Sequence, residues 1–254
     1  MFAAERHKLI KQLFVKKKFI SVTELSRSLN VSEVTIRRDL EKLEDELFLM
    51  RTHGGAILCD NEFEPFSAIS TVGDKDEAEL IASIAASMIA DGSIIFLGAG
   101  KLGLATAKKL NQKQDLIVLT NDISIAVELA ANTNIKVNLP GGELSPSLVL
   151  TGAMAYENMA SMHVAHAFME VVGVDLTRGF TVRDMDSATT LKMVAGISDQ
   201  NTLLCCADSF DRISLHAFGP IKLAESIITS PNIPDQYKEY CFQNNIRLFT
   251  AFDI

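Results

Sequence analysis

Two stretches of this sequence combine residue types that bind anions. The segment from Ser32 to Lys42 carries small hydroxyl side chains beside two adjacent arginines, and such residues contact the phosphates and base edges of DNA. The segment from Gly98 to Gly103 is a G-x-G-x-x-G sequence, GAGKLG, whose backbone N–H groups can hold a phosphate at the start of a helix. The elements around each segment decide whether it can reach a ligand.

The first segment lies in a pattern of three short helices. A helix is predicted at about residues 5–16, and Ser21 followed by Glu24 has the spacing of a capping box at the start of a second helix. Asn30 and Val31 favour a tight turn, after which Ser32 caps a third helix. Two short helices joined by a turn are typical of a helix-turn-helix, whose second helix enters the major groove of DNA.

The third predicted helix has an apolar face and a polar face. At 100° per residue, Leu40 and Leu43 fall within about 40° of Ile36, so the polar neighbours face outward. The candidate DNA contacts on this helix are Ser32, Thr35, Arg37, Arg38 and Lys42. An ordinary charged surface is the alternative, because Arg37 has the i,i+4 spacing of a helical ion pair with both Glu33 and Glu41.

Residues 48–58 predict a two-stranded wing. The sequence predicts one strand at residues 48–50, a turn at Gly54 and Gly55, and a return strand at residues 56–58. Arg51 and His53 would lie along the phosphates, where they would position the protein rather than distinguish bases.

Charge is distributed unevenly along the chain. The net charge of −8 divides into +3 for residues 1–58 and −11 for residues 59–254. A basic head on an acidic body indicates that only the head meets a polyanion. Residues 59–73 have no hydrophobic periodicity, so we predict a DNA-binding domain at 1–58, a linker at 59–73 and a second domain at 74–254.

The second domain alternates short apolar strands with helices, which predicts a mainly parallel α/β sheet covered on both faces. Strands are predicted at residues 93–97, 116–120, 135–139, 167–172, 202–207, 226–229 and 247–251. Helices are predicted at residues 74–90, 102–111, 123–132, 187–198 and 235–245. Because ligands bind at the carboxyl ends of the strands in such sheets, the loops after the first three strands form the candidate ligand site.

Those loops are rich in glycine and polar residues. Their candidate ligand contacts are Gly98, Ala99, Gly100, Lys101, Asn121, Gly141, Gly142 and Glu143. The N–H groups of two glycine-rich loops can cradle an anion, although glycines that only make tight turns are the alternative. Asp122 lies 19 residues after the last glycine of GAGKLG, near the position of an acid that binds the ribose of a dinucleotide.

Other chemistry finds little support. The five histidines are scattered, the four cysteines form no C-x-x-C pair, and no G-x-S-x-G sequence is present. Asp184 and Asp186 could form a carboxylate pair, but capping or surface roles are the simpler interpretation. Since these patterns are missing, we expect no metal, cofactor or catalytic residue. No apolar run approaches the roughly 18 residues of a membrane helix, so we expect a cytoplasmic protein.

The head and the body both resemble one known family. VSEVTIRRDLEKLE followed by RTHGGA resembles the signature of the DeoR family of bacterial transcription regulators, with Leu47 where the family usually has glycine. VLTNDISIAVEL, LPGGEL and GVDLTRGFT are similar to the sensor domain of that family, so the resemblance covers the whole chain. It implies a winged helix-turn-helix followed by a domain that resembles the ribose-5-phosphate isomerase fold and binds a phosphorylated sugar or related metabolite.

The sequence departs from the family in the loops that the resemblance assigns to the ligand. The family loop after the first strand is usually Asp-x-Gly-Thr-Thr-Thr, whose hydroxyls and amides hold phosphate. Here Gly98 replaces the acid, and Lys101, Leu102 and Gly103 replace the threonines.

A second departure concerns the family sequence G-A-D-G-I-D. The corresponding stretch begins at Glu170, has Val172 in place of the first acid and keeps only Asp175. Lys101, Lys192 and Arg212 could restore positive charge near a phosphate. Asp175 and Lys192 therefore join the candidate effector contacts.

Together with the patterns above, the resemblance implies a transcriptional repressor of carbohydrate metabolism genes. Its partners would be a double-stranded DNA operator, a small phosphorylated metabolite as effector, and further copies of itself in a dimer or tetramer. One small module buries only about 600–1,000 Å² against DNA, so specificity requires paired half-sites. A redox sensor that binds a nicotinamide dinucleotide at GAGKLG is one alternative. A sugar-phosphate isomerase is the other, although it would need a carboxylate base where Val172 stands.

Overall fold

The chain forms two compact units, residues 1–64 and 65–254. The computed structural model describes residues 6–7, 9–10, 13–14, 19–45, 49–52, 55–58 and 72–250. The predicted linker lies outside these residues, apart from Val72 and Gly73, which begin a helix. No helix in the described part of the chain combines the length and the apolar character that a membrane span requires.

The N-terminal unit is a helix-turn-helix with a small antiparallel sheet. Residues 6–7, 9–10 and 13–14 are helical and precede the helices α1 (Val22–Leu29) and α2 (Glu33–Asp45). Strands β1 (Phe19–Ser21), β2 (Leu49–Thr52) and β3 (Gly55–Leu58) pair in the order β1-β3-β2. The helices and the two-stranded wing are as predicted, whereas β1 was missed because three residues carry too little periodicity to indicate a strand.

One apolar cluster holds this unit together. Ile10 and Phe14 from the first helical segment pack with Leu25 from α1 and with Ile36 and Leu40 from α2, and all five side chains are almost fully buried. The apolar face that 3.6-residue periodicity predicts for α2 is therefore the face that packs inward, which leaves its opposite face at the surface.

The C-terminal unit is built on a seven-stranded parallel sheet. In spatial order its strands are β15 (Arg247–Phe249), β14 (Ser226–Ile228), β12 (Ser198–Leu204), β9 (Val164–Glu170), β4 (Ile94–Leu97), β5 (Leu116–Leu119) and β6 (Ile135–Asn138). Helices α3 (Val72–Met88), α4 (Lys101–Ala107) and α5 (Ile123–Ala130) contribute to the apolar cluster on one face. Helices α6 (Ala153–Ala160), α7 (Met185–Ile197) and α8 (Asp235–Gln243) contribute to the cluster on the other face.

Adjacent cysteines confirm this two-layer arrangement. Cys205 and Cys206 follow β12, and both are buried as free thiols. Cys205 belongs to the cluster that contains α7, whereas Cys206 belongs to the cluster that contains α4. Successive residues of an extended chain point to opposite faces, so the two thiols act as small apolar groups in different layers.

Two antiparallel elements were not predicted. Strands β7 (Glu143–Leu144) and β8 (Leu150–Thr151) form a hairpin, and β10 (Gly173–Asp175), β11 (Gly179–Val182) and β13 (His216–Gly219) form a separate sheet. Strand β11 pairs with β13 across more than 30 residues of sequence. Such short strands are defined by distant partners, which local periodicity does not reveal.

Candidate functional site

The caps of α1 and α2 determine the geometry of the helix-turn-helix. The hydroxyl of Ser21 accepts a hydrogen bond from Glu24 N–H at 3.1 Å, and that of Ser32 accepts one from Thr35 N–H at 3.2 Å. Between the helices, Asn30 adopts a left-handed conformation with φ of 52°. Asparagine tolerates this region better than most residues, so it ends α1 and redirects the chain into α2.

The predicted DNA contacts on α2 lie on its outer face. Ile36 is fully buried, while Ser32, Arg37, Arg38 and Lys42 are exposed. Arg37 lies 3.6 Å from Glu33, as its helical spacing predicts, whereas Arg38 projects from the exposed face one residue further along. This outer face has the residue types and the exposure that a recognition helix requires.

Thr35 is partly buried, and its hydroxyl lies 2.9 Å from that of Ser32. In the wing, Arg51 lies in β2 opposite Ala56 of β3. His53 lies outside the described residues. Contact of these side chains with DNA therefore stays a prediction.

A buried ion pair fixes α2 to the first helical segment. Asp39 accepts hydrogen bonds from Arg6 at 2.5 and 3.0 Å and lies 2.9 Å from His7. Burial alone would raise the pKa of Asp39, but the hydrogen bonds from Arg6 and His7 outweigh it and lower that pKa below its usual value. No local sequence pattern predicts this contact, because Arg6 and Asp39 are 33 residues apart.

A cavity of about 280 Å³ lies at the carboxyl ends of β4, β5 and β9 in the C-terminal unit. It is therefore at the edge of the sheet where the sequence predicts a ligand. Its lining residues are Ala99, Gly100, Asn121, Asp122, Ser145, Ser147, Val149, Thr151, Glu170, Val172, Val182, Arg183, Asp184, Asp186, Ser187, Thr190 and Leu191.

The carboxyl group of Glu170 lines the part of the cavity next to the GAGKLG loop. Its Oε2 atom accepts a hydrogen bond from Leu102 N–H at 2.7 Å. Burial raises the pKa of Glu170 to about 7, against the opposing effects of backbone hydrogen bonds and the charge of Lys101. The sequence did not point to Glu170 because the predicted strand ran to Val172, which placed Glu170 inside the strand. In the structure β9 ends at Glu170, so this residue lies at the edge of the sheet where the cavity is.

Asn121 and Asp122 lie in the loop after β5 and line the cavity. Asp122 is buried and caps α5, accepting hydrogen bonds from Ser124 N–H at 2.7 Å and Ile125 N–H at 3.3 Å. Asn121 donates its side-chain N–H to the Leu150 carbonyl at 3.2 Å, which ties the loop to β8. Both side chains thus hold the cavity wall in place while they line it.

The N-terminus of α7 supplies the opposing set of polar groups. Asp184 caps this helix by accepting a hydrogen bond from Ser187 N–H at 2.7 Å, which is the capping role that the sequence favoured. Asp186 accepts a hydrogen bond from the Tyr156 hydroxyl at 2.9 Å. Arg183 also lines the cavity, and no sequence pattern had pointed to it.

The predicted effector contacts divide into two groups. Ala99, Gly100 and Asn121 line the cavity. The others, which are not among its lining residues, are Gly98, Lys101, Gly141, Gly142, Glu143, Asp175 and Lys192.

Several residues of the second group have evident structural roles. Gly98 donates its N–H to the Phe168 carbonyl at 2.9 Å. Asp175 accepts hydrogen bonds from the N–H groups of Thr177 and Arg178 and so closes a turn. Gly142 has φ of 105°, and a Cβ there would lie 2.4 Å from the Thr151 carbonyl oxygen, so this glycine serves close packing of the hairpin.

The two units together define a class of protein: a winged helix-turn-helix DNA-binding head and an α/β sensor body with a ligand cavity. Residues 6–62 match the DeoR-like helix-turn-helix domain, and residues 74–231 match the DeoR C-terminal sensor domain. The chain belongs to the DeoR family of transcriptional regulators. Membership confirms the resemblance and the expectation that the chain is a regulator and not an enzyme.

Curated relatives match the chain over nearly its full length. It is 29% identical to the uncharacterized HTH-type transcriptional regulator YgbI of Escherichia coli, with 99% of each chain covered. It is 30% identical to the HTH-type transcriptional repressor GlcR of Bacillus subtilis, with 93% of this chain and 91% of the relative covered. A solved structure of ribose 5-phosphate isomerase A from Methanocaldococcus jannaschii matches with a TM-score of 0.40 and 15% identity, covering 54% of this chain and 55% of that one.

Proposed function

We propose that this regulator represses carbohydrate metabolism genes and that a small phosphorylated sugar or related metabolite controls its binding to a double-stranded DNA operator. The observation that carries the proposal is a cavity at the carboxyl ends of three parallel strands whose lining includes carboxylate, hydroxyl, amide and guanidinium side chains, in a chain whose head presents an exposed arginine-bearing helix. A relative that covers most of the chain is named a transcriptional repressor, which supports repression over activation.

The chemistry of the cavity suits a sugar. Its carboxylates, hydroxyls and the Asn121 amide can exchange hydrogen bonds with several ligand hydroxyl groups. Arg183 is the one residue of positive charge among the lining residues, all of which belong to the described part of the chain, and guanidinium groups bind phosphate in two-point geometry. At about 280 Å³ the cavity is near the small end of the roughly 300–1,000 Å³ usual for ligand pockets.

A dinucleotide fits the same surroundings less well. The carboxylate of Asp122, which would have to bind a ribose, already caps α5. The carboxylate of Glu170 lies on the GAGKLG loop, where the pyrophosphate of a dinucleotide would need the N–H groups. These contacts favour the sugar phosphate over the redox-sensor alternative.

The proposed repressor function also has consequences for the oligomeric state of the protein and for its place in the cell. One winged head buries too little DNA surface for a specific site, so the proposed regulator acts as a homodimer or homotetramer on paired half-sites. It acts in the cytoplasm, where both DNA and phosphorylated metabolites occur. Effector binding changes operator affinity only to the extent that the effector prefers one arrangement of the assembly.

The proposal is tested with DNA selected from a random pool by the purified full chain. Phosphorylated sugars, the same sugars without phosphate, and oxidised and reduced nicotinamide dinucleotides are then titrated into the protein–DNA complex. We expect at least one phosphorylated sugar to release the DNA at concentrations where its unphosphorylated form and both dinucleotides have no effect. Failure to select any DNA sequence would contradict the regulator, and release by a dinucleotide alone would contradict the effector.

A further inference from the structure

Glu170, the last residue of β9, places its carboxylate on the loop between β4 and α4. Its Oε2 atom accepts the hydrogen bond from Leu102 N–H at 2.7 Å, and the backbone N–H of Gly103 also lowers the pKa of this carboxyl group. A Cβ on Gly100 would lie 2.3 Å from Oε2, so the carboxylate fits only because position 100 is a glycine. The N–H groups that could hold a phosphate are therefore bound to an anion that belongs to the chain itself.

We propose that Glu170 determines the specificity of the cavity by keeping phosphate dianions off this loop, so that the end of the effector next to Glu170 carries uncharged hydroxyl groups. The inference rests on the proposed function, because it takes the cavity as the effector site. An ionised carboxylate and a phosphate repel each other when they share the same N–H donors, whereas a carboxylate oxygen accepts hydrogen bonds from sugar hydroxyls. The phosphate of the effector then lies toward Arg183.

The charge of Glu170 depends on pH in the physiological range. Burial raises its pKa to about 7, the hydrogen bonds from the loop and the charge of Lys101 on α4 oppose that rise, and Asp122 after β5 adds to it. Cys206, after β12, also faces this carboxyl, but burial raises the pKa of its thiol to about 12, so it stays uncharged. Below pH 7 Glu170 takes up a proton, and its exclusion of anions weakens.

Sulfate is a suitable probe because it stays a dianion from pH 6 to pH 8. Its affinity for the full chain is measured by calorimetry across this range in the wild type and in Glu170→Gln. For the wild type we expect about a ten-fold gain from pH 8 to pH 6, because the neutral fraction of a group with a pKa near 7 rises from about a tenth to about nine-tenths. Glu170→Gln should bind sulfate about ten-fold more tightly than the wild type at pH 8 and show no such pH dependence.

Asp208→Asn is the matched control. Asp208 lies in the short turn after β12, so the substitution removes the same charge from the same edge of the sheet, but its exposed side chain is outside the cavity lining and the loop of Leu102 and Gly103. We expect its sulfate affinity at pH 8 to stay within about two-fold of the wild type, since it leaves the loop N–H groups occupied. An equal gain in Asp208→Asn and Glu170→Gln would overturn the proposal, because overall charge and not Glu170 would then exclude the anion.

The position of the bound ion provides an independent readout. A crystal structure of Glu170→Gln with sulfate should place the ion on the N–H groups of Leu102 and Gly103, and Glu170→Ala serves in its place if the glutamine variant does not fold. Sulfate affinity at pH 8 unchanged by both substitutions, or a variant structure with no ion on these N–H groups, would refute the role of Glu170. None of these measurements uses DNA, so their outcome is separate from operator release, which tests the proposed function.

Discussion

At the scale of single residues, the outer face of α2 and the wing are expected to do different work on DNA. Arg38 is exposed near the start of α2, where side chains reach base edges, so Arg38→Ala should cost about 1–3 kcal/mol in operator binding and relax specificity. Arg51→Ala should weaken binding to all sequences alike and lower the salt slope by about one. Fluorescence-anisotropy titrations with operator and unrelated duplexes at several salt concentrations measure the affinity and the salt slope of both variants. Operator affinity unchanged in Arg38→Ala would mean that α2 does not recognise the bases.

Asp39 acts on the stability of the head and not on base recognition. Asp39→Ala removes the carboxylate that accepts two hydrogen bonds from the buried Arg6, which should lower the free energy of unfolding by about 3 kcal/mol, the low end for a broken buried pair. Because the native pKa of Asp39 is lowered, its contribution is present above the unfolded pKa of about 4 and is lost as pH falls through the native value. Urea unfolding of the wild type and of Asp39→Ala at pH 7 and pH 3 measures how far the difference in their free energy of unfolding shrinks at the lower pH. An equal loss in the variant at both pH values would contradict the ion pair as the cause.

At the scale of elements, the close approach of α4 to the loop after β4 depends on one glycine. A Cβ on Gly103 would lie 2.0 Å from the Gly98 carbonyl oxygen, so Gly103→Ala must displace the helix from the sheet. Gly196, within α7, has open space at the same position, so Gly196→Ala should stabilise the chain by about 0.5–1 kcal/mol. We expect Gly103→Ala to lower the thermal midpoint and Gly196→Ala to raise it in differential scanning calorimetry. The same sign of change in both variants would exclude the steric explanation.

The sequence predicted elements best where their periodicity is local. The buried face of α2, the caps at Ser21 and Ser32, and the parallel strands all appeared within a few residues of their predicted positions. The sequence did not predict the sheet of β10, β11 and β13 or the contact of Glu170 with Leu102, because the partners in each lie far apart in sequence. Most of the residues that line the cavity therefore come from segments that no local pattern connects, whereas those in the loops after β4 and β5 followed from the rule for parallel sheets.

At the scale of the whole molecule, the body should fold without the head. The unit of residues 65–254 has apolar clusters on both faces of its own sheet, and its 13 Lys+Arg and 21 Asp+Glu give it a net charge of −8. We expect a fragment that begins at residue 65 to stay folded and oligomeric in sedimentation and to have no measurable affinity for DNA, because its charge repels phosphates. A folded but monomeric fragment would show that the head carries assembly.

The proposed function requires that the cavity of the body controls DNA binding by the head. Its most direct test compares the wild type with Arg183→Ala in the release of operator DNA by the phosphorylated sugar that proves active. Arg183→Ala should bind the operator as tightly as the wild type when no sugar is present, because Arg183 lies in the body. It should then require at least about ten-fold more sugar phosphate for release, since it loses a charge-assisted contact of roughly 1.5–3 kcal/mol. Release at the same sugar concentration in both proteins would contradict the account.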